Sequence, residues 1–169
     1  MKYLVPESTE SERLILRQFV ESDLQDLHEY YSDRKAIQYT QNRDMSPADT
    51  WRSLACMVGH WQIKGYGPYA IALKSTQKVI GISGFWYPIE WPEPEIKWAL
   101  NREFWGQGFA KEATLSTLSI AKQYLPDQQL ISLIHSDNLR SINVAKSVSA
   151  KFEKNIEFRN GQWCVYRHQ

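Results

Sequence analysis

No feature of this sequence restricts its fold more than the run "EIKWALNREFWGQGFAKEATLSTLSIAKQYLP", Glu95 to Pro126. EIKWAL reads as a strand, Phe109 to Gln123 reads as a strong helix, and Pro126 closes that helix. Between them lie Gly106 and Gly108, one residue apart. A helix amino terminus leaves backbone N–H groups unpaired and carries partial positive charge, so it suits a phosphate. Glycines lack Cβ, which lets the backbone turn sharply and approach an anion closely. The fold must therefore set a strand end beside an anion-ready helix start. Two common phosphate loops fail on detail. A G-x-x-x-x-G-K-[ST] loop is excluded because Lys111 is followed by Glu112. The dinucleotide fingerprint needs glycine at Lys111, and this strand lies mid-chain rather than opening a βαβ repeat. A plain strand-to-helix turn is the bland reading of the same residues.

The remaining chain reads as strands and helices around that unit. Residues 1–10 are expected to be a loose leader. Arg13 to Phe19 is a strand candidate with Leu14 and Leu16 on one face. Ser22, with Gln25 three residues on, is a capping-box signature for a helix carrying Leu24, Leu27 and Tyr31. Ser46-Pro47-Ala48-Asp49 starts a second helix with Pro47 at its first position, running towards Gly65. The period then turns extended. Tyr69–Lys74 and Val79–Trp86 flank a polar turn, and the loop PIEWPEP leads to Glu95–Leu100. Leu130–His135 is a strand and Asn138 to about Val148 a helix. Lys151–Phe158 and Gln162–Arg167 pair across Asn160-Gly161. The class is α+β: one domain over 1–169, with a mixed, mostly antiparallel sheet of about seven strands and about four helices.

Composition narrows the partners. Lys and Arg number 20 against 19 Asp and Glu, a net charge of +1, and form no polybasic stripe. Neither direct nucleic-acid binding nor a membrane surface is expected. Cys56 and Cys164 lie far apart without a C-x-x-C, as core thiols of a reducing compartment do. The amino terminus lacks an apolar signal region, and no long apolar run appears, so a cytoplasmic location is expected.

WGQGFAKEA resembles the central acyl-CoA motif of the GNAT N-acetyltransferases, Q/R-x-x-G-x-G/A, with Trp105 first, Gly108 fourth and Ala110 sixth. Trp at the first position, with Glu-Ala in the helix, resembles the ribosomal-protein N-acetyltransferase branch (the RimJ/RimL type). SERLILRQFVESDL is similar to that branch's opening, and HSDNLRSINVAKSVSAKFE to its later motif. The resemblance implies a single-domain GNAT fold in which EIKWAL and LISLIH splay apart. It implies backbone N–H groups of Gly106, Gln107, Gly108, Phe109, Ala110 and Lys111 on the pyrophosphate of acetyl-CoA, the co-substrate. Backbone groups of Trp98, Ala99 and Leu100 would pair with the pantetheine amides. An N–H near Leu100 would polarise the thioester carbonyl. Asn138 would contact pantetheine or hold a helix start. No metal is implied.

Direct transfer to a primary amine needs a base. Glu95 matches the acidic position of the branch's strand, with Glu93, Glu90 and His135 as spares. Many family members carry a Tyr acid seven residues after the motif's Asn, and here that position is Ala145. Ser141 matches the branch's Ser and is the candidate acid. Ser149 replaces the usual Gly after the helix and is expected to alter its exit. Trp51, Trp61, Trp86, Tyr87 and Trp91, interleaved with Glu90, Glu93 and Glu95, are the expected acceptor wall and suit a cationic amine. The acceptor is a protein N-terminus or a small-molecule amine, and the enzyme a monomer or homodimer. The missing Tyr keeps a second reading open, a non-catalytic acyl-CoA-binding or regulatory module.

Overall fold

Leu14 and Leu16, Tyr69 and Ile71, Ile80 and Phe85, and Ile96 and Leu100 are all buried on one face of a sheet, which α-helical residues Phe109, Ala113 and Ile120 cover. The computed structural model describes residues 2–169. Among these, the strands are β1 (Ser8–Glu10), β2 (Leu14–Arg17), β3 (Pro68–Leu73), β4 (Val79–Trp86), β5 (Glu95–Leu100), β6 (Ile131–His135), β7 (Lys151–Phe158) and β8 (Gly161–Arg167). They form one sheet in the order β1-β2-β3-β4-β5-β6-β8-β7. Every neighbouring pair is antiparallel except β5 and β6. The helices are α1 (Leu24–Ser32), α2 (Arg34–Ile37), α3 (Pro47–Lys64), α4 (Phe109–Tyr124) and α5 (Leu139–Ser147). The expected α+β class holds, with β1 and α2 added to the elements read from sequence.

Residues 2–10 are not a loose leader. Tyr3 and Val5 are buried, Tyr3 packs edge-on to Trp61 at 5.3 Å, and Leu4 N–H bonds to the Gly65 carbonyl at 2.7 Å. Ser8 to Glu10 then pair with Ile15 to Arg17 as the sheet edge. Two apolar side chains among polar neighbours are enough to tie this segment down.

Helix starts follow their chemistry, once as expected and once not. Ser46 accepts from Asp49 N–H and Asp49 returns a bond to Ser46 N–H, a complete capping box before Pro47. Gly65, at φ 75°, ends that helix. The expected Ser22 box is absent. Asp23 takes the capping role instead, accepting from Val20 N–H at 2.9 Å and holding Arg17 through both guanidinium nitrogens at 2.7 and 2.8 Å. Asp23 satisfies both an ion pair and a cap, which Ser22 has no means to match.

The two faces carry different layers. α4 covers one face, with α5 packing Ile142, Ala145 and Val148 onto β6 and β8. On the other face α1, α2 and α3 pack Leu27, Tyr31, Ile37, Leu54 and Met57 over Ala70, Ala72 and Ile82.

Candidate active site

β5 and β6 touch at one register pair, Glu95 with Ile131, and then diverge. The terminal strands do not bridge the opening, because β8 pairs with the far side of β6. A cavity of about 470 Å3 runs through this opening, with Trp98 and Leu100 on one side and Leu133, Ile134 and His135 on the other.

The backbone phase of β5 decides what the opening presents. Asn101 N–H bonds to the Ile80 carbonyl at 2.9 Å, in register with the Ile82–Ala99 pair. Antiparallel alternation therefore points the N–H and C=O of Lys97 and Ala99 at β4, and those of Ile96, Trp98 and Leu100 into the opening. Ser132 Oγ donates to the Ile96 carbonyl at 2.6 Å, and Trp105 Nε1 donates to the Leu100 carbonyl at 3.0 Å. The N–H and C=O of Trp98 and the N–H of Leu100 face the gap between those two bonds. Ala99 was expected to offer backbone groups to pantetheine, but its amide belongs to the ladder with β4. It reaches the cavity only through its side of the strand.

The glycine loop is built for close approach. Gly106 and Gly108 adopt φ 73° and 83°, the left-handed region. A Cβ on Gly106 would meet open space, so its backbone faces outward without cover. The first backbone bond of α4 runs from Glu112 N–H to the Gly108 carbonyl at 3.0 Å. The N–H groups of Phe109, Ala110 and Lys111 precede it and have no partner within the helix. Gly106, Gln107, Gly108 and Lys111 are exposed at this rim, the Phe109 ring is buried beneath it, and Ala110 and Trp105 line the cavity. Gln107 Nε2 turns back to the Glu103 carbonyl at 2.9 Å. This cradle fits a pyrophosphate.

Ser11 and Arg13, from the opening motif, are bonded directly to the glycine loop and its helix. Glu112 accepts from Ser11 Oγ at 2.6 Å and from Arg13 at its amide (2.8 Å) and Nε (2.7 Å). Arg13 also donates to the Gln107 carbonyl at 3.0 Å and covers the Phe109 ring at 4.2 Å. Arg140, which sequence reasoning missed, stacks on Trp105 at 3.4 Å and lines the cavity. Its signal was available: a cation in a helix's first turn opposes the macrodipole and needs another reason.

At the vertex lies Glu95, buried at 7% exposure. Its carboxylate accepts from Trp91 Nε1, and from Leu133 N–H at 3.4 Å, where a continued ladder would have placed a strand bond. Burial pushes its pKa up to about 7 against the opposing pull of Lys97 and these donors. On the other side of the strand, Ser132 is joined to His168 Nε2 at 2.8 Å. Ser132 spends its single proton on Ile96, so His168 donates from Nε2 and its Nδ1 is left buried without a partner. Burial depresses the His168 pKa to about 4.

Asn138 caps α5, accepting from Ser141 N–H at 3.2 Å, and both residues line the cavity. Glu93 is not a spare base, because Arg167 holds both of its oxygens at 2.6 and 2.9 Å. Glu90 and His135 reach the cavity, His135 stacking on Tyr39 at 5.1 Å. Of the five aromatics expected in the acceptor wall, only Trp86 and Trp91 line it. Trp61 is core, donating to the Pro68 carbonyl at 2.8 Å. Trp51 lies on the surface near Glu21, and Tyr87 is covered by Lys64. Trp86 rests on buried His60 at 4.9 Å, and Tyr30, Tyr31 and Tyr39 complete the wall.

With this geometry stand the relatives. Residues 13–151 match the acetyltransferase (GNAT) domain. The chain belongs to the GNAT acetyltransferase family. An uncharacterized N-acetyltransferase, p20, from Bacillus licheniformis is 28% identical over 149 residues, 87% of this chain and 84% of that protein. An acetyltransferase structure from Agrobacterium tumefaciens superimposes with TM-score 0.86 at 24% identity, covering 98% of this chain and 95% of that one. The RimL ribosomal L7/L12 acetyltransferase, solved with coenzyme A, gives TM-score 0.73 at 20% identity, covering 97% and 96%. The GNAT chain is thus an acetyl-CoA-dependent acetyltransferase. Among the described residues no helix is long and apolar enough to cross a membrane.

Proposed function

We propose that this enzyme acetylates a primary amine, with Glu95 as general base and Ser141 as general acid, in a RimJ/RimL-like manner. The observation that carries the reading is Glu95: a buried carboxylate at the strand vertex, lining the cavity, with its pKa near neutrality. A lysine-like amine costs roughly 4–5 kcal/mol to deprotonate at pH 7, an α-amine only about 1 kcal/mol. A carboxylate poised near 7 accepts the latter proton with little penalty and is half ionised at the working pH.

Bound acetyl-CoA supplies an activated acetyl thioester. Phe109, Ala110 and Lys111 offer amides to the pyrophosphate, and Arg140 adds a cation at the same rim. Trp98 offers its N–H and C=O to pantetheine as an added strand would receive them. The Leu100 N–H, which faces the same gap, would polarise the thioester carbonyl. Glu95 takes the ammonium proton at its carboxylate, and after attack the nitrogen gives its second proton to the Ser141 hydroxyl as that hydroxyl passes its own to the departing sulfur. A protein N-terminus and a small amine both satisfy this arrangement, and the likeness to RimL supports the former by fold alone. We expect a monomer or homodimer in the cytoplasm, where acetyl-CoA is supplied.

The test is thiol release from acetyl-CoA across a panel of primary amines. Transfer to at least one amine, reduced about 100-fold or more in Glu95→Gln, supports the reading. Binding of acetyl-CoA with transfer to nothing favours the non-catalytic module.

A further inference from the structure

We propose that Lys97 binds a carboxylate of the acceptor, and that the acceptor is a small primary amine with a carboxylate beside it, as in an α-amino acid. This rests on the amine-acetylation reading above and names its substrate class.

Glu95, Lys97 and Ala99 alternate onto the same face of β5, and Ala99 packs into the cluster formed by α1 to α3. Lys97 therefore lies two residues beyond the base, about 7 Å along the strand, and on the acceptor side. It lines the cavity and is half-buried. Its ammonium is held over the Trp86 ring at 4.5 Å rather than on a carboxylate. Among the described residues no carboxylate lies within ion-pair distance of it, and burial lowers its pKa against the pull of the Glu95 charge. An indole face compensates a desolvated ammonium only in part, which leaves Lys97 needing an anion.

Two further cations share this half of the cavity. Arg159 lies over Trp91 at 5.9 Å, from a backbone at φ 49° that side chains rarely adopt. The tight turn of the terminal hairpin thus falls on Arg159 and Asn160 (φ 59°), not on Asn160-Gly161 as the sequence suggested, and its strain aims a guanidinium at the opening. Lys35 stands on the α2 side. Glu90 and Glu95 are the carboxylates facing them, and Glu95 is committed to the amine. This is not a wall for a plain cation, as the sequence had suggested. An α-amino acid would set its amine at Glu95 and its neighbouring carboxylate at Lys97, which share one face of β5 and line one cavity. A protein N-terminus would instead set a neutral amide against Lys97.

The test compares matched acceptors: free α-amino acids with aromatic, aliphatic and acidic side chains, their amides, their decarboxylated amines, and hexapeptides with free N-termini. The proposal expects kcat/KM for the best free amino acid to exceed its amide and its amine by about tenfold or more. Lys97→Gln should erase that preference, so that free amino acid and amide are used alike, and melt like the wild type, while Lys97→Arg retains the preference. Equal or better use of amides, amines or hexapeptides by the wild type overturns the proposal and leaves amine acetylation standing. Preference retained in a folded Lys97→Gln also overturns it. If that variant does not fold, the wild-type series decides alone. No transfer to any amine removes both readings.

Discussion

Burial shifts the titration of Glu95 away from that of an ordinary carboxylic acid. In the unfolded chain its carboxyl titrates near its ordinary 4.5, and in the fold near 7. The folded protein therefore holds the proton more tightly, so Glu95 favours folding most below about pH 4.5, and this contribution is lost as pH rises through about 7. The difference corresponds to roughly 3 kcal/mol. Urea unfolding of Glu95→Gln should lack this loss, and the variant should gain stability relative to wild type above pH 7. His168 behaves in the opposite sense. Its folded pKa, about 4, lies below its ordinary 6.5, so its contribution is present above 6.5 and is lost as pH falls towards 4. His168→Gln should flatten the acid limb of the stability curve. A steep acid limb unchanged in that variant would contradict the Ser132–His168 brace.

At the scale of elements, the cradle depends on a clamp from the far edge of the sheet. Glu112 gathers Ser11 and Arg13, and Arg13 reaches on to the Gln107 carbonyl. Glu112→Gln removes the charge from this cluster and should raise the KM for acetyl-CoA several-fold with kcat little changed, measured by initial rates. The exit of α5 is a second case. Ser149 adopts φ 66°, and Ala150 N–H bonds back to the Ala145 carbonyl at 3.0 Å, so the exit keeps the form that glycine usually supports. The sequence suggested a changed exit, whereas the backbone holds and Ser149 carries the strain. Ser149→Gly should stabilise the protein by up to about 1 kcal/mol, read from chemical denaturation.

For the molecule as a whole, the strand–loop–helix unit was legible because periodicity and glycine placement are local. Glu95 and Asn138 were singled out by the resemblance, and both line the cavity. What sequence could not reveal depends on register. Ala99 loses its expected backbone role because one ladder bond, Asn101 to Ile80, sets the phase of all of β5. Glu93 is withdrawn by Arg167, 74 positions away. Tyr3 and Val5 look like leader residues until α3 and β3 give them a groove. Val5→Ala should accordingly cost about 2 kcal/mol of stability, as a core position does. Lys97 and Arg159 escaped notice because a lone cation on a strand or turn carries no pattern until a cavity joins them.

The most direct measurement is the pH dependence of kcat/KM for acetyl transfer, using an acceptor whose own ionisation has been titrated separately. After correction for the amine, wild type should rise through about pH 7 to a plateau, and Glu95→Gln should lie about 100-fold lower without that step. A folded Glu95→Gln enzyme that keeps the step and the wild-type plateau would contradict the account.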